Sequence, residues 1–205
     1  MSSALLPLGI LPDRQPYHES PWNYAGTEGL NGQAEDYPTG MIDWLLVGFR
    51  TQPTADTQVG EVAAILMEDG CLHFTSDYVS LTQDVDSLYV VIEHRNHAAV
   101  MTPQPIALTG DVLTYDFRVD DSYRTITSSG QKQLSDGNWA MYVGDCDQSD
   151  ANGYDINGQD KDPWVSLNGN FGVYAVPDLN LDGDVNGADK TLWFENNGVS
   201  SIVPK

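Results

Sequence analysis

The sequence predicts a mainly β protein: an antiparallel β-sandwich over 41–144 followed by a small polar unit of loops and short helices over 145–205. Three observations predict it. Short apolar segments separated by turn residues fill 41–144 without a helical period. From Gly144 onward the texture changes, with ten Asp between Asp145 and Asp189 and with Asn and Gly crowded around them. Inside that stretch one segment occurs twice, 29 residues apart.

Residues 1–40 are rich in Pro, Gly, Tyr and Asn and read as an extended arm, with short strands at Leu5–Leu11 and Trp22–Tyr24. Ile42-Asp-Trp-Leu-Leu-Val-Gly-Phe49 is apolar on both alternating faces, as a central strand of a packed sheet is. Val62–Met67 follows, closed by a turn at Glu68-Asp69-Gly70, then Leu72–Phe74 and Tyr78–Leu81. Ser87-Leu-Tyr-Val-Val-Ile-Glu93 is the strongest strand signal, with three β-branched residues in a row between polar turns. Ile106–Leu108, a turn at Thr109-Gly110-Asp111, Leu113–Val119 and Trp139–Val143 complete seven or eight strands. So many short strands over about a hundred residues suit a sandwich of immunoglobulin-like or transthyretin-like layout.

The charge balance narrows the partners. Nine Lys and Arg stand against 30 Asp and Glu, a formal net charge of −21, so nucleic-acid phosphate and anionic lipid are repelled. No apolar run approaches the ~20 residues of a membrane-spanning helix, so no membrane insertion is expected. Among the acids, 23 are Asp and only 7 are Glu. Glu suits helices and Asp does not, so an Asp excess points to loops where short carboxylates converge on a hard cation.

The repeat carries that chemistry. Asp155-Ile-Asn-Gly-Gln-Asp-Lys-Asp-Pro-Trp164 and Asp184-Val-Asn-Gly-Ala-Asp-Lys-Thr-Leu-Trp193 share six identities in ten. The second copy extends backwards to Asp178, giving a twelve-residue loop with Asp178, Asn180 and Asp182 at positions 1, 3 and 5. Gly183 stands at position 6, Asp184 at 7, Asn186 at 9 and Asp189 at 12. This is the calcium-loop pattern with Asp in place of the final Glu: alternate residues point inward, Gly permits the sharp turn, position 7 ligates by its carbonyl, and position 12 closes the sphere. In the first copy Asp145, Asp147 and Ser149 supply the early positions and Asp160 corresponds to Asp189. Its span is 15 residues instead of 11 and it has no Gly at position 6, so Asp150, Asp155 and Asp162 are alternative ligands. Two bound calcium ions are expected. A short helix should follow each loop, the first opened by Asp162 as N-cap with Pro163 next, the second ended by Asn197-Gly198. Trp164 and Trp193 fall at the same point of each copy and should be buried against each other or against the sandwich.

A duplicated loop of this kind, each followed by one helix, resembles the dockerin-type module. Leu5-Pro-Leu, Gln15-Pro-Tyr17, Pro21-Trp-Asn-Tyr-Ala-Gly-Thr-Glu28, Asp43-Trp-Leu-Leu-Val47, Glu93-His-Arg-Asn-His97 with Val100-Met101, and Asn197-Gly-Val-Ser-Ser-Ile-Val-Pro204 are similar to a second pattern. It is that of a C-terminal module of large secreted and cell-surface bacterial proteins, haemagglutinin- or cadherin-like, ending in a dockerin-like unit. The resemblance covers nearly the whole chain. It implies export and a structural or adhesive setting, and it brings no defined activity. The N-terminus has no basic region and is broken by Pro7, so a signal sequence is expected outside this chain.

His94 and His97 lie where a strong strand runs into a loop, but no third ligand or nucleophile motif accompanies them, so they read as a turn held by polar side chains. No enzyme motif occurs, and an enzyme is not expected. Cys71 and Cys146, the only cysteines, could form one disulfide in an exported protein. Two functions of different class follow. One is a calcium-stiffened structural or surface protein that joins other copies of itself or a larger chain, with the N-terminal arm filling a neighbour's sheet edge in a filament. The other is a glycan-binding module using Trp22, Tyr24 and Tyr37 as an aromatic platform.

Overall fold

The structure is a computed structural model that describes residues 3–30, 37–76, 79–110, 112–124, 130–148 and 154–204. The chain is mainly β, its sheets are antiparallel, and the described residues include two short α-helices. The main sheet contains β1 (Met41–Arg50), β2 (Gln58–Met67), β3 (Leu72–Phe74), β4 (Ser87–His94), β5 (His97–Met101) and β6 (Ile106–Ala107). Its order is β3-β2-β1-β4-β5, with β6 also paired to β4. Thus β1 is central, as its two apolar faces require. Later in the chain come β7 (Lys132–Gln133) with β8 (Trp139–Ala140), β9 (Tyr154–Asp155), α1 (Lys161–Leu167), α2 (Gly187–Asn196) and β10 (Ser200–Ser201), which pairs with β9.

Alternation along the strands sorts the core into two faces. Leu45 and Val47 of β1, Val62 and Ala64 of β2, Val90 and Ile92 of β4 and Val100 of β5 form one face. Leu72, Val79, Leu113, Phe117 and Met141 pack onto it, so the stretch after β6 covers this side. On the other face Trp44, Leu46, Ala63 and Ile65 are covered by Leu5, Leu11 and Tyr17 of the N-terminal segment, together with Leu181. The β4–β5 half of that face, Val91, Ala99 and Met101, is covered by Tyr154, Ile156 and Val203. Completely burying one such aliphatic side chain contributes about 1.5–3 kcal/mol, so both terminal regions are held by the sheet they cover.

Several local expectations differ from what is found. Leu5–Leu11 forms turns, and Trp22–Tyr24 has no ladder; among the described residues the segment has one isolated β-bridge to itself, Arg14 to Gly29. Its apolar residues pack down onto the chain's own sheet, where Tyr17 donates its hydroxyl to the Trp44 carbonyl at 2.7 Å and Trp44 donates its indole N–H to the Pro12 carbonyl at 3.0 Å. Leu113–Val119 is not a strand: Asp116 takes the backbone N–H and the guanidinium of Arg118 and curls the chain into a turn. The expected strand at Tyr78–Leu81 begins on a residue outside the described ones, and Val79–Leu81 is irregular. β5 was not expected at all, because its His and two Ala hide its apolar character. Cys71 and Cys146 are both free.

Candidate metal centre

The second loop folds around its own carboxylates. Asp178 accepts the backbone N–H of Asp182 at 3.1 Å and of Gly183 at 2.9 Å. Asn180 accepts from the Asp182 N–H at 3.1 Å and donates its amide to Asp182 at 2.7 Å, while Asp182 accepts from the Asp184 N–H at 3.0 Å. These short side-chain-to-backbone bonds are what Asp and Asn offer a tight turn. Gly183 has φ +87°, which favours glycine at position 6; a Cβ there would also meet the ends of the Leu8 and Ile10 side chains, which can move aside. Leu181 also has positive φ, +60°, unusual for a branched side chain, and is fully buried among Trp44, Leu5 and Tyr17. It fastens the loop to the sheet.

Asp189 closes the loop. One carboxylate oxygen accepts the N–H of Leu179 at 2.7 Å and of Asn180 at 3.3 Å; the other accepts that of Asn186 at 2.8 Å. Asn186 in turn caps α2 through a reciprocal capping box with Asp189. The first loop repeats this closure. Asp160 accepts the N–H of Cys146 and of Asp147 on one oxygen, both at 2.7 Å, and that of Asn157 on the other, at 2.7 Å. Asp160, which immediately precedes α1, therefore spends its carboxylate on the loop, and α1 begins at Lys161, before the Asp162-Pro163 pair expected to open it.

The first and last carboxylates of both loops are buried: Asp145 and Asp160 are 1 % exposed, Asp178 and Asp189 0 %. Burial pushes Asp178 up to about 6, against the opposing pull of the Gly183 N–H and Arg95, with Asp189 adding to the rise. Burial likewise raises Asp189 and Asp160, while their backbone donors work the other way and the nearby Asp182 and Asp147 carboxylates add to it. Asp147 and Asp184 lie in the loops as expected; Ser149 and Asp150 lie outside the described residues. Among the described residues, no three His, Cys, Asp or Glu side chains converge as a metal-holding group by themselves.

Three further relations are set by the fold. First, the repeat is longer than ten residues. Asn168-Gly169 and Asn197-Gly198 end the two helices alike, with Gly169 at φ +93° and Gly198 at φ +98°. Second, the copies are cross-connected. Trp164 donates its indole N–H to the Asn186 carbonyl at 2.6 Å, and Trp193 donates to the equivalent Asn157 carbonyl at 2.9 Å. Lys190 sits over the Trp164 ring at 5.3 Å and Lys161 over the Trp193 ring at 5.9 Å, both in cation–π range. Val185 is hydrogen-bonded to Gly169 and Asn170 behind α1, and Ile156 to Gly198 and Val199 behind α2. Each loop is thus held by the helix end of the other copy.

Third, the β4–β5 turn docks the whole unit. Asn96 donates its amide to the carbonyls of Val176 at 2.8 Å and Asp178 at 2.9 Å, and Arg95 donates to that of Ala175 and lies over the Tyr174 ring at 4.2 Å. Gln148 of the first loop donates to the His94 carbonyl at 2.8 Å. Underneath is Asp43, fully buried, accepting from Trp44 N at 2.8 Å, Tyr174 hydroxyl at 2.7 Å, Arg95 Nε at 2.9 Å and His94 Nε2 at 3.2 Å. All four of its acceptor positions are filled. Burial alone would raise this carboxyl, but the Arg95 charge and the His94 and Tyr174 bonds hold it well below the usual range. His94 and His97 meet through their Nδ1 atoms at 2.8 Å, and His97 Nδ1 also lies 2.8 Å from Asn96 Oδ1. The signal for this hub was Asp43, a lone charge inside the otherwise apolar run Ile42–Phe49.

No known family model matches the chain, and no curated protein matches it.

Proposed function

We propose that this chain is a calcium-binding structural protein of the bacterial cell surface or exterior, with a β-domain of sandwich type joined to a dockerin-like unit that holds two calcium ions. The observation that carries this reading is the burial of the first and last carboxylates of both duplicated loops. Burying like charges together is costly unless a cation joins them. The donor set is all oxygen, as calcium prefers: Asp178, Asn180, Asp182, the Asp184 carbonyl and Asp189 in one loop; Asp145, Asp147 and Asp160 in the other, with Ser149 as the remaining candidate. Because no three acidic side chains converge unaided among the described residues, Asn180 and main-chain carbonyls are needed to complete a sphere. Two ions would bring the formal charge from −21 to −17.

Its role is structural and not enzymatic: His94 and His97, the pair that invited a catalytic reading, are buried and spent on each other and on the turn. Partners in this reading are further copies of the chain, in a filament or adhesive layer, or a larger surface protein. β3, a three-residue edge strand paired only to β2 among the described residues, is open to a further strand. The test is a thermal melt in calcium and in chelator. Asp178→Ala and Asp182→Ala should each lower the midpoint in chelator through their lost backbone bonds, and lower it further in calcium by the loss of a stabilisation of about 2.7 kcal/mol at a hundredfold excess over Kd. Equal losses in both conditions would rule out the metal.

A further inference from the structure

The N-terminal segment and the C-terminal unit cover opposite halves of one sheet face, and between them a cavity of about 300 Å³ remains over β1. That volume is at the lower end of small-molecule sites, roughly 300–1,000 Å³. Its floor is Leu46 and Arg50, separated by Gly48, which has no side chain to fill the space. Glu61 is paired with Gly48 from one side and Glu93 with Leu46 from the other, so both carboxylates stand on this face. Trp22 and Tyr154 supply the walls.

The polar groups here are incompletely matched. Arg50 is 2 % exposed; its Nη1 donates to the carbonyls of Pro53 at 3.2 Å and Pro204 at 2.6 Å, yet its Nε has no partner among the described residues. The indole N–H of Trp22 has none either. A buried donor left unmet costs about 1–3 kcal/mol, so two beside one cavity call for acceptors from within it. On the acceptor side, Gln58 donates to Glu61 and steadies it.

We propose that this cavity binds a neutral sugar residue. An anion would meet Glu61 and Glu93, a metal ion would meet the Arg50 guanidinium, and an apolar molecule would leave both N–H groups unmet. A sugar hydroxyl can accept from an N–H and donate to a carboxylate at once, and a sugar carries several of them on one rigid ring. The Trp22 ring, held edge-on to Tyr17 at 5.0 Å, gives that ring an apolar wall. The three aromatics expected to form a glycan platform all pack in part against the core; the hydroxyls of Tyr24 and Tyr37 are engaged by Glu28 and by the Leu11 carbonyl, whereas the indole N–H of Trp22 is unmet among the described residues. Trp22 lines this cavity, and what it borders is a pocket and not a flat surface. The site adjoins the first Asp-rich loop, whose Gln148 and Tyr154 line it, but it contains none of the carboxylates proposed to hold calcium.

The experiment is saturation-transfer NMR and calorimetry on the full chain with glucose, galactose, mannose and N-acetylglucosamine, with glucuronic acid as the anionic control. At least one neutral sugar should bind with a Kd of about 1 mM or tighter. Trp22→Phe, which keeps the ring and removes the N–H, and Glu61→Gln should each weaken binding about tenfold, with the thermal midpoint preserved. No binding of any neutral sugar up to about 10 mM, which leaves only water in the cavity, would overturn the proposal. So would glucuronic acid binding as tightly as its neutral counterpart, or a sugar whose affinity ignores both substitutions. If Trp22→Phe fails to fold, Glu61→Gln alone decides.

Discussion

Set side by side, the loop over 145–160 and the loop over 178–189 close their ends with the same three backbone bonds. Cys146, Asp147 and Asn157 donate to Asp160 as Leu179, Asn180 and Asn186 donate to Asp189. They differ in how they meet the rest of the chain. The second loop sends Leu181 into the sheet core and hangs its Val176 and Asp178 carbonyls on Asn96. The first reaches the same hairpin turn through Gln148 and takes its apolar anchor from Ile156, on the other half of the sheet face. Closure is set by the few residues the copies share, whereas docking is set by residues in which they are free to differ. That division explains how four extra residues can be tolerated in one copy: they enter before Asp155 and leave the closing bonds of Asp160 intact.

The largest expected effect breaks the docking that both loops share. Asp43→Ala removes the acceptor under Arg95, His94 and Tyr174 and leaves a guanidinium buried without its partner. Breaking a buried pair from one side costs about 3–5 kcal/mol. The sheet and the C-terminal unit should then lose protection together in amide exchange. Loss confined to either one would show that the hub does not couple them.

Next comes the closure itself. Asp160→Asn and Asp189→Asn each set an amide NH₂ against a backbone donor and weaken charge-assisted bonds, at a cost of about 1.5–3 kcal/mol. Measured in chelator by denaturant unfolding, the two losses should agree within about 0.5 kcal/mol, because the bonds are the same. A wider gap would mean that the stretched first loop closes less firmly than its copy.

Acid should act on the hub before it acts on the carboxylates. Burial, with the neighbouring His94 and Arg95, holds His97 well below the ordinary histidine value. The unfolded chain therefore takes up a proton near pH 6.5 that the folded chain refuses. Stability conferred by the neutral ring is whole above that pH and falls by up to about 1.4 kcal/mol per pH unit below it. The His97 ring signals in NMR should show no titration between about pH 7.5 and 5.5, and a midpoint near 6.5 would contradict its burial.

Much of this was legible in the sequence, for physical reasons. Ile42–Phe49 had to be central because both its faces are apolar, and the two loops showed in their Asp and Asn spacing because each of those side chains makes a bond to the backbone nearby in sequence. What could not be read was set by long-range packing. Leu5, Leu11 and Tyr17 have no period of their own, since an irregular segment laid over a sheet needs none. The bonds from Asn96 to Asp178 span 82 residues, and nothing local in either residue announces the other. The cross-connection of the copies was half visible: the equivalent tryptophans were evident, but not that each would serve the opposite loop.

The smallest expected effect is the sharpest test of that exchange. Trp164 and Trp193 each belong to one copy by sequence, yet each donates its indole N–H to the other copy's Asn carbonyl. Replacing either by Phe keeps an aromatic ring for the lysine above it and removes one hydrogen bond, a loss of about 1 kcal/mol. The place of the loss matters more than its size. Trp164→Phe should loosen the amides around Asn186 and the start of α2, and Trp193→Phe those around Asn157 and the start of α1. Each change should spare the substituted residue's own loop, because Asp160 and Asp189 still hold their own N–H groups. Amide exchange resolved by residue reads this directly. If each substitution instead loosened its own loop, the two copies would be independent units that merely touch.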